Sequence, residues 1–377
     1  MRRPPGMTTN AKQHTRQKRN VVVLGAGYGG LLAALRLAPH ARVTLVDPAD
    51  HFTERVRLHE LTGTRPTVTH PLARLLHGTG IRHTAHRATA LDPAARTVTT
   101  DDGHHHPYDR LVYALGSRTP DVTGEHVYTA ESADRLRKRL QDRPGTLAVV
   151  GGGLTGIEMA AEIAEAHPDW TVRLLSAGQV AAGHTPRGRD HVRTVLAGLG
   201  VRVEEDRRVD DPDSLAADAV VWSAAMTPRT SLAAAAGLTL DPRTSRIAVD
   251  STLRAIGHPE IYAVGDAAAA HSGPAGPLRM GCATALPTGF HAASAIIAEG
   301  RGRRPGTLDF RYAVQCLSLG RTEGLIQFVN ADDSPRDRIL TGRAAVLVKE
   351  QVVRSTVRTL RLARRAPGLL PSLPGLG

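Results

Sequence analysis

Four apolar residues followed by three spaced glycines constrain the fold of this chain more than any other feature. Residues 21–24 read V-V-V-L, a run typical of a strand that is buried on both faces. Gly25, Gly27 and Gly30 follow with the spacing G-x-G-x-x-G, and residues 31–37 continue as an apolar helix. The first glycine of such a motif makes a tight turn, the second admits a pyrophosphate, and the third lets the helix pack on the strand. The sequence therefore predicts a dinucleotide-binding βαβ unit.

The strand predicted after this helix ends in an acidic residue. Asp47 follows residues 42–46 and lies 22 positions after Gly25. A carboxylate at about this distance binds the ribose hydroxyls of the adenosine in such units. The helix N-terminus offers free N–H groups and a partial positive charge to the phosphates. Strand, glycines, helix, strand and acid together make the prediction specific.

The same pattern occurs a second time in the chain. A predicted strand at 147–150 leads into Gly151, Gly153 and Gly156, and a helix is predicted at 157–166. The two glycine motifs start 126 residues apart. A chain that bound one dinucleotide would need only one such unit, so the repeat implies two bound dinucleotides.

The net charge of +12 is concentrated at the two ends of the chain. Residues 1–20 contribute +6, residues 336–365 contribute +7, and the rest sums to −1. A nucleic-acid-binding protein would carry basic charge on its folded body, so the sequence predicts no nucleic-acid partner. Basic ends suit contact with an acidic membrane surface better. The N-terminus lacks the apolar core of a signal peptide, which favours a cytoplasmic protein.

The sequence predicts no metal site. Cys282 and Cys316 are the only cysteines and form no C-x-x-C pair. Three consecutive histidines, His104 to His106, follow a predicted hairpin turn. Adjacent residues on a strand point to opposite faces, so these three do not readily converge on one ion.

Four motifs in order give the chain a family resemblance. They are V-V-V-L-G-A-G-Y-G-G at 21–30, Y-D-R-L-V-Y-A-L-G-S at 108–117, V-V-G-G-G-L-T-G-I-E at 149–158 and I-Y-A-V-G-D-A-A at 261–268. With them the chain resembles the flavoproteins that have two dinucleotide-binding domains. Within these it is most similar to type II NADH:quinone oxidoreductases and to proteins like apoptosis-inducing factor.

This resemblance implies an α/β fold with two Rossmann-like domains, the second inserted in the first, and a small C-terminal cap. The expected segments are a disordered basic tail (1–19), the first part of an FAD-binding domain (20–118), an NAD(P)H-binding domain (119–250), the second part of the FAD-binding domain (251–308), and a cap with a basic amphipathic helix and tail (309–377). The oligomeric state is not predicted, and a homodimer stays open.

The resemblance also implies which residues bind the cofactors, FAD and either NADH or NADPH. The expected FAD-binding residues are Gly25, Ala26, Gly27, Tyr28, Gly29, Gly30, Asp47 at the ribose, Ala114, Gly116, Gly265, Asp266 at the ribityl chain, Ala285 and Leu286. The expected NAD(P)H-binding residues are Gly151, Gly153, Leu154, Thr155 and Gly156. Glu158 matches the family's acid beside the nicotinamide. A helix from Pro287 to Glu299 is expected to point its N-terminus at the flavin, where its dipole would stabilise the reduced form.

Two departures from the family pattern bear on the substrates. Type II dehydrogenases commonly carry glutamines in the stretch aligned with residues 282–287, and this chain has none. The expected activity is hydride transfer from NAD(P)H to FAD, followed by reduction of a quinone-like acceptor. A soluble flavoprotein that tailors a secondary metabolite and a redox sensor with poor turnover remain alternatives. Ser176 replaces the acid expected after the strand at 171–175, and Arg187 and Arg189 lie downstream, which permits NADPH.

Residues 344–365 are predicted to form a basic amphipathic helix. Lys349 and four arginines recur along it at helical spacing, with valines and a leucine on another side. Such a helix is typical of binding to a membrane surface, here the inner face of the plasma membrane. The alternative is a helix that packs its apolar side on the protein's own core.

Overall fold

The computed structural model describes residues 18–63, 65–120, 122–124 and 126–368. Most of the tail predicted for 1–19 and the end of the tail after 366 therefore lie outside the described residues. The helices are α1 (Tyr28–Leu37), α2 (Leu72–Leu76), α3 (Ala133–Asp142), α4 (Leu154–Ala166), α5 (Pro186–Gly198), α6 (Ser231–Ala235), α7 (Cys282–Gly300) and α8 (Gly342–Arg365), with 3-10 turns η1 (Arg55–Thr62), η2 (Ala130–Ser132), η3 (Pro212–Ser214) and η4 (Gly265–Ala267).

The strands are short, and most of the longer ones lie in two parallel sheets. They are β1 (Asn20–Leu24), β2 (Arg42–Val46), β3 (His51–Thr53), β4 (Thr69–Pro71), β5 (Arg82–Thr84), β6 (Ala88–Asp92), β7 (Thr97–Thr100), β8 (His105–Pro107), β9 (Arg110–Tyr113), β10 (Ser117–Arg118), β11 (Val127–Tyr128), β12 (Thr146–Val150), β13 (Thr171–Leu175), β14 (Arg202–Glu204), β15 (Ala219–Trp222), β16 (Thr227–Pro228), β17 (Ile247–Ala248), β18 (Arg254–Ala255), β19 (His258–Ala263), β20 (Ala268–Ala269), β21 (His271–Ser272), β22 (Gly276–Pro277), β23 (Val314–Ser318), β24 (Gly324–Val329) and β25 (Pro335–Thr341).

The first sheet has the order β18-β19-β9-β1-β2-β5. All its pairs are parallel except β18 with β19. Helix α1 connects β1 to β2 and is buried at every position except Arg36, because it lies between this sheet and α7. Helices that are apolar all round occur only where they are covered on all sides. The predicted α/β class is confirmed.

The second sheet has the order β11-β15-β12-β13-β14 and is parallel throughout. Helix α4 connects β12 to β13, just as α1 connects β1 to β2 in the first sheet. Its central strands β12 and β15 are almost wholly apolar, as burial of both faces of a parallel sheet requires. The repeat of the glycine motif in the sequence therefore corresponds to a repeated βαβ unit in the structure.

The chain leaves the first sheet and returns to it at one short ladder, where β10 pairs antiparallel with β16. After β16 the chain already contributes to the core of the first sheet, through Ala233, Leu238 and Ile247. We therefore propose that the inserted domain ends near residue 228, whereas the sequence analysis places its end at residue 250. The expected segment boundary at 118 coincides with the other strand of this ladder.

The first sheet and the second sheet, each with its helices, are called the first body and the second body. The C-terminal segment packs on both. Strands β23, β24 and β25 form an antiparallel sheet. Leu317 and Leu325 of this sheet belong to the hydrophobic core of the second body, while Val357, Leu360 and Ala363 of α8 belong to the core of the first. The cap therefore fixes the two dinucleotide-binding units relative to each other.

Candidate functional site

The first glycine loop is shaped to receive a phosphate group. Gly25 has φ +97°, and a Cβ on it would approach the carbonyl oxygen of Ala114 at 2.5 Å. A Cβ on Gly30 would overlap the carbonyl oxygen of Gly25, whereas one on Gly27 would meet no atom within 4 Å. Gly27 is also the N-cap of α1 and no side chain caps it. Open space before an uncapped helix N-terminus fits the pyrophosphate of FAD.

Asp47 holds this loop from the end of β2. Its carboxylate accepts hydrogen bonds from the backbone N–H of Ala26 at 2.7 Å and of Ala49 at 2.9 Å. Tyr28 contributes only its backbone at the loop, since its ring is buried edge-on against Phe52 with centroids 4.9 Å apart. The structure thus brings the predicted residues of the first unit together at the carboxyl end of β1.

The second glycine loop repeats the first in detail. Gly151 has φ +125°, and a Cβ on Gly156 would overlap the Gly151 carbonyl oxygen. Gly153 is the uncapped N-cap of α4, and a Cβ there would meet no atom within 4 Å. Leu154 and Thr155 form the first helical positions, with Thr155 exposed. This geometry fits the pyrophosphate of NAD(P)H.

The end of β13, where the family's acid is missing, contacts a different arginine from those proposed by sequence. The buried Ser176 accepts a hydrogen bond at its carbonyl oxygen from the backbone N–H of Arg207, at 2.8 Å. The side chain of Arg207 pairs with Glu204. Arg189 is instead directed to the carbonyl oxygen of His184, and Arg187 is exposed on α5.

Asp266 joins two loops at the carboxyl edge of the first sheet. Its carboxylate accepts from Ser117 Oγ at 2.6 Å and from the backbone N–H of Gly281 at 2.7 Å. Ser117 follows Ala114 and Gly116 after β9, so the expected motif at 108–117 reaches this acid. Gly265, beside Asp266, has φ +62° and donates its N–H to Thr288 Oγ1.

Helix α7 begins at Cys282, five residues before the expected start at Pro287. The expectation was wrong because a proline usually marks the first turn of a helix, whereas Pro287 lies inside this one. Helix α7 crosses α1 at very close range. A Cβ on Gly29 would lie 2.8 Å from the Ala285 carbonyl oxygen, and one on Gly289 would overlap the Gly29 carbonyl oxygen. Ala285 and the buried Leu286 thus pack beside the first glycine loop.

Glu158 is the centre of a polar cluster between the two bodies and the cap. Its carboxylate pairs with Lys349 Nζ of α8 and accepts from the Ser318 backbone N–H at 3.1 Å. His59 Nδ1 lies 3.7 Å from its other oxygen. Lys349 is nearly buried, so its predicted place on the exposed basic face of the helix was wrong. The physical reason is that a buried carboxylate requires a partner charge.

The charges of this cluster are mutually adjusted. Burial raises the pKa of Glu158, but the nearby Lys349 and His59 outweigh this effect and hold it below its usual range. The pKa of His59 is lowered to about 4, chiefly by burial; the charge of Glu158 opposes this shift and that of Lys349 adds to it. At neutral pH the cluster therefore contains an ion pair and a neutral imidazole.

Of the two cysteines, Cys316 is half-buried, and burial raises the pKa of its thiol to about 11.

A second ionic cluster lies where the first body, the second body and α8 meet. The buried Arg57 donates to Glu60 Oε1 at 2.8 Å and to Glu350 Oε2 of α8 at 2.9 Å. Arg321 of the cap pairs with Glu162 of α4 and lies 3.6 Å from Glu60. We call these residues the ionic junction. The ionic junction and the pairing of Lys349 with Glu158 could not be predicted from the sequence, because the partners are up to 293 residues apart and no local motif links them.

Comparison with known proteins agrees with this geometry. The family described as pyridine nucleotide-disulphide oxidoreductase matches residues 19–295. The NADH dehydrogenase-like protein Rv1812c of Mycobacterium tuberculosis is 31% identical over 369 residues, which cover 84% of this chain and 90% of that protein. Demethylphylloquinone reductase NdbB of Synechocystis sp. is 26% identical, over 55% of this chain and 62% of that one. The structure of NDH2 from Plasmodium falciparum in complex with NADH superposes with a TM-score of 0.76 at 15% identity, covering 95% of this chain and 100% of that one.

The two glycine loops, Asp47 and these relatives lead to one conclusion. Each of the two bodies carries a glycine loop with room for the pyrophosphate of a dinucleotide. The chain belongs to the pyridine nucleotide-disulphide oxidoreductase family and is an FAD-dependent NAD(P)H oxidoreductase of the NADH dehydrogenase-like kind.

Proposed function

We propose that this protein oxidises NAD(P)H and reduces a quinone at a membrane surface. The observation that carries the proposal is the pair of open, uncapped glycine loops at Gly27 and Gly153, which lie in two bodies joined by the cap. FAD, when bound, supplies the hydride-accepting and electron-donating chemistry. The relative from Synechocystis, a demethylphylloquinone reductase by name, supports a quinone as the acceptor.

The chain's own residues would bind and orient the reactants. The loops Gly25–Gly30 and Gly151–Gly156 would bind the two pyrophosphates, and Asp47 and Asp266 would hold the FAD ribose and ribityl hydroxyls. We propose that Glu158, kept ionised by Lys349, lies beside the nicotinamide. Catalysis then rests on positioning, which can account for a large share of a barrier without a protein acid or base.

The reaction is tested on the purified holoenzyme under anaerobic conditions. NADH or NADPH should bleach the flavin absorbance in one fast phase, and a water-soluble ubiquinone analogue should restore it. Bleaching without reoxidation by any quinone, but with reoxidation by another acceptor, would contradict the quinone. A flavin that neither nucleotide reduces within seconds would overturn the activity. We propose weak discrimination between the nucleotides, so a preference above about tenfold, or 1.4 kcal/mol, would contradict that proposal.

The outer face of α8 supports contact with the membrane. Of the six large hydrophobic side chains that are exposed among the described residues, four lie on this helix: Leu347, Val348, Val352 and Leu362. Exposed arginines run along one edge of the same face. A helix of this kind lies in the interface plane with its apolar face among the acyl chains. Over the described part of the chain, no helix is both long and apolar enough to span a bilayer.

Substitution of this face tests the contact more cleanly than removal of the helix, because the inner face of α8 is part of the core. The triple change Leu347→Ser, Val348→Ser and Val352→Ser should abolish co-sedimentation with anionic vesicles while flavin content stays normal. The matched control is Met226→Ser with Ile256→Ser, which removes the other two exposed apolar side chains. Equal sedimentation of the triple variant and the control would contradict the membrane contact.

A further inference from the structure

A groove between α2 and the last turns of α8 is lined by four arginines and two histidines. Its volume is about 630 Å³, within the range of pockets that hold small ligands. His70, Arg74 and His77 line one side, and Arg361, Arg364 and Arg365 line the other. Among the residues that the structure describes, no carboxylate lines this groove.

The arginines of this groove differ from those of the ionic junction, where each guanidinium faces a glutamate. In the described part of the chain, no carboxylate lies within 4 Å of the guanidinium of Arg74, Arg361, Arg364 or Arg365. Arg364 is oriented by a hydrogen bond from its Nη1 to the Arg74 carbonyl oxygen, at 3.2 Å. His70 Nε2 is already engaged with Glu54 Oε1 at 2.8 Å. Arg74, Arg361 and Arg365 are exposed, and a bound anion would offset the repulsion among these like charges.

The surroundings of the groove indicate what kind of anion this is. Arginine forks match the oxygens of a phosphate in geometry and charge. Leu362, exposed at 39%, lies next to Arg361 on the outer face of α8, so the groove adjoins the apolar face described above. A free phosphate would make no contact with the apolar face, whereas a phospholipid would contact the arginines with its headgroup and the apolar face with its acyl chains.

We propose that this groove binds the phosphate of an anionic phospholipid headgroup, with the acyl chains lying along the outer face of α8. The inference rests on the proposed membrane contact and adds to it a specific lipid site. The negative end of the α8 dipole opposes an anion here, but it amounts to about half a charge against four arginines.

Calorimetric titration of the FAD-loaded protein with a short-chain phosphatidylglycerol, below its micelle concentration, tests the site. Monomeric lipid removes the general attraction of a charged surface from the measurement. We expect binding at one site, no binding of the matching phosphatidylcholine, and weaker binding of inorganic phosphate. Arg74→Gln with Arg365→Gln should weaken phosphatidylglycerol binding at least about tenfold, since two charged hydrogen-bonding groups are lost.

The control variant, Arg343→Gln with Arg358→Gln, removes the same charge from exposed positions of α8 outside the groove and should bind like the wild type. Inorganic phosphate binding as tightly as the lipid, or equal weakening in both double variants, would overturn the proposal. Arg361→Gln alone provides a second groove variant. Quinone reduction with a soluble quinone should stay normal in all these proteins, so a failure of the lipid site is distinguishable from a failure of the proposed activity. The serine triple variant should lose vesicle binding and bind the short-chain lipid more weakly, because it lacks the apolar face for the acyl chains, whereas its binding of inorganic phosphate should stay unchanged.

Discussion

Each glycine loop contains positions where the fold requires a glycine and positions where only a ligand would require one. The fold requires Gly25 and Gly30, because a side chain there would strike backbone carbonyl groups. Gly27 and Gly153 face open space, so nothing in the protein itself forbids an alanine there. A bound phosphate would explain why these two positions are open although the fold does not require it.

This distinction gives a paired prediction. Gly27→Ala should fold with a near-normal content of secondary structure but be purified largely without FAD, because its methyl group occupies the phosphate position. Gly153→Ala should retain FAD and its yellow colour, yet require a much higher NAD(P)H concentration for bleaching. Absorbance at purification and anaerobic titration measure the two effects. Loss of FAD in both variants, or in neither, would contradict the assignment of the two loops.

His59 predicts how stability depends on pH. Its pKa is lowered from 6.5 to about 4 by burial, so the unfolded chain binds this proton at a higher pH than the folded chain. His59 therefore leaves the free energy of unfolding unchanged above pH 6.5. As the pH falls from 6.5 towards 4, the free energy of unfolding decreases by roughly 3 kcal/mol at most. Urea unfolding at about pH 7 and about pH 5 should show a smaller difference for His59→Gln than for the wild type. His105→Gln, at an exposed position, should behave like the wild type.

At the scale of elements, α1 and α7 cross at two glycines, one from each helix. Gly289→Ala would force a methyl group into the Gly29 carbonyl group, and we expect a loss of about 3 kcal/mol in the free energy of unfolding, with weaker FAD retention. Gly300→Ala, at the other end of α7, is the matched control, because its Cβ would meet no atom within 4 Å. Thermal unfolding of the two variants should differ clearly in midpoint. Equal midpoints would show that the crossing can relax.

Much of this element structure could be predicted from the sequence, and the exceptions have physical causes. The strand and helix of each βαβ unit are local, so apolar runs and glycine spacing suffice to find them. The start of α7 was misplaced because Pro287 is tolerated inside this helix. The backbone hydrogen bond that a proline cannot donate is lost close to the first turns of α7. The orientation of α8 could be predicted only in part. Its apolar side does pack on the core, but Lys349 turns inward with that side because Glu158 lies there, 191 residues away in sequence.

At the scale of the whole molecule, the cap is a structural part of both bodies. Removal of residues 344–377 would take away Val353, Val357 and Leu360 and expose the apolar surfaces that they cover. It would also leave Glu158 without Lys349. We expect this truncation to aggregate or to lose FAD, since removing one partner of a buried ion pair alone costs about 3 kcal/mol or more. Removal of 369–377 keeps every described contact and should give folded, yellow protein. A stable, FAD-loaded protein that lacks 344–377 would show that the cap is dispensable.

The order of strands in the first sheet has a consequence for how the protein is made. Strand β9 is complete at residue 113, but its neighbour β19 begins only at residue 258, and the whole second sheet is synthesised between them. A chain leaving the ribosome therefore closes its inner, nucleotide-binding unit while the outer unit still has an open edge. The first glycine loop also waits for α7, which ends at residue 300. We therefore expect FAD to be loaded late in synthesis, and the edge of β9 to stay unpaired and open to misassembly until β19 is made.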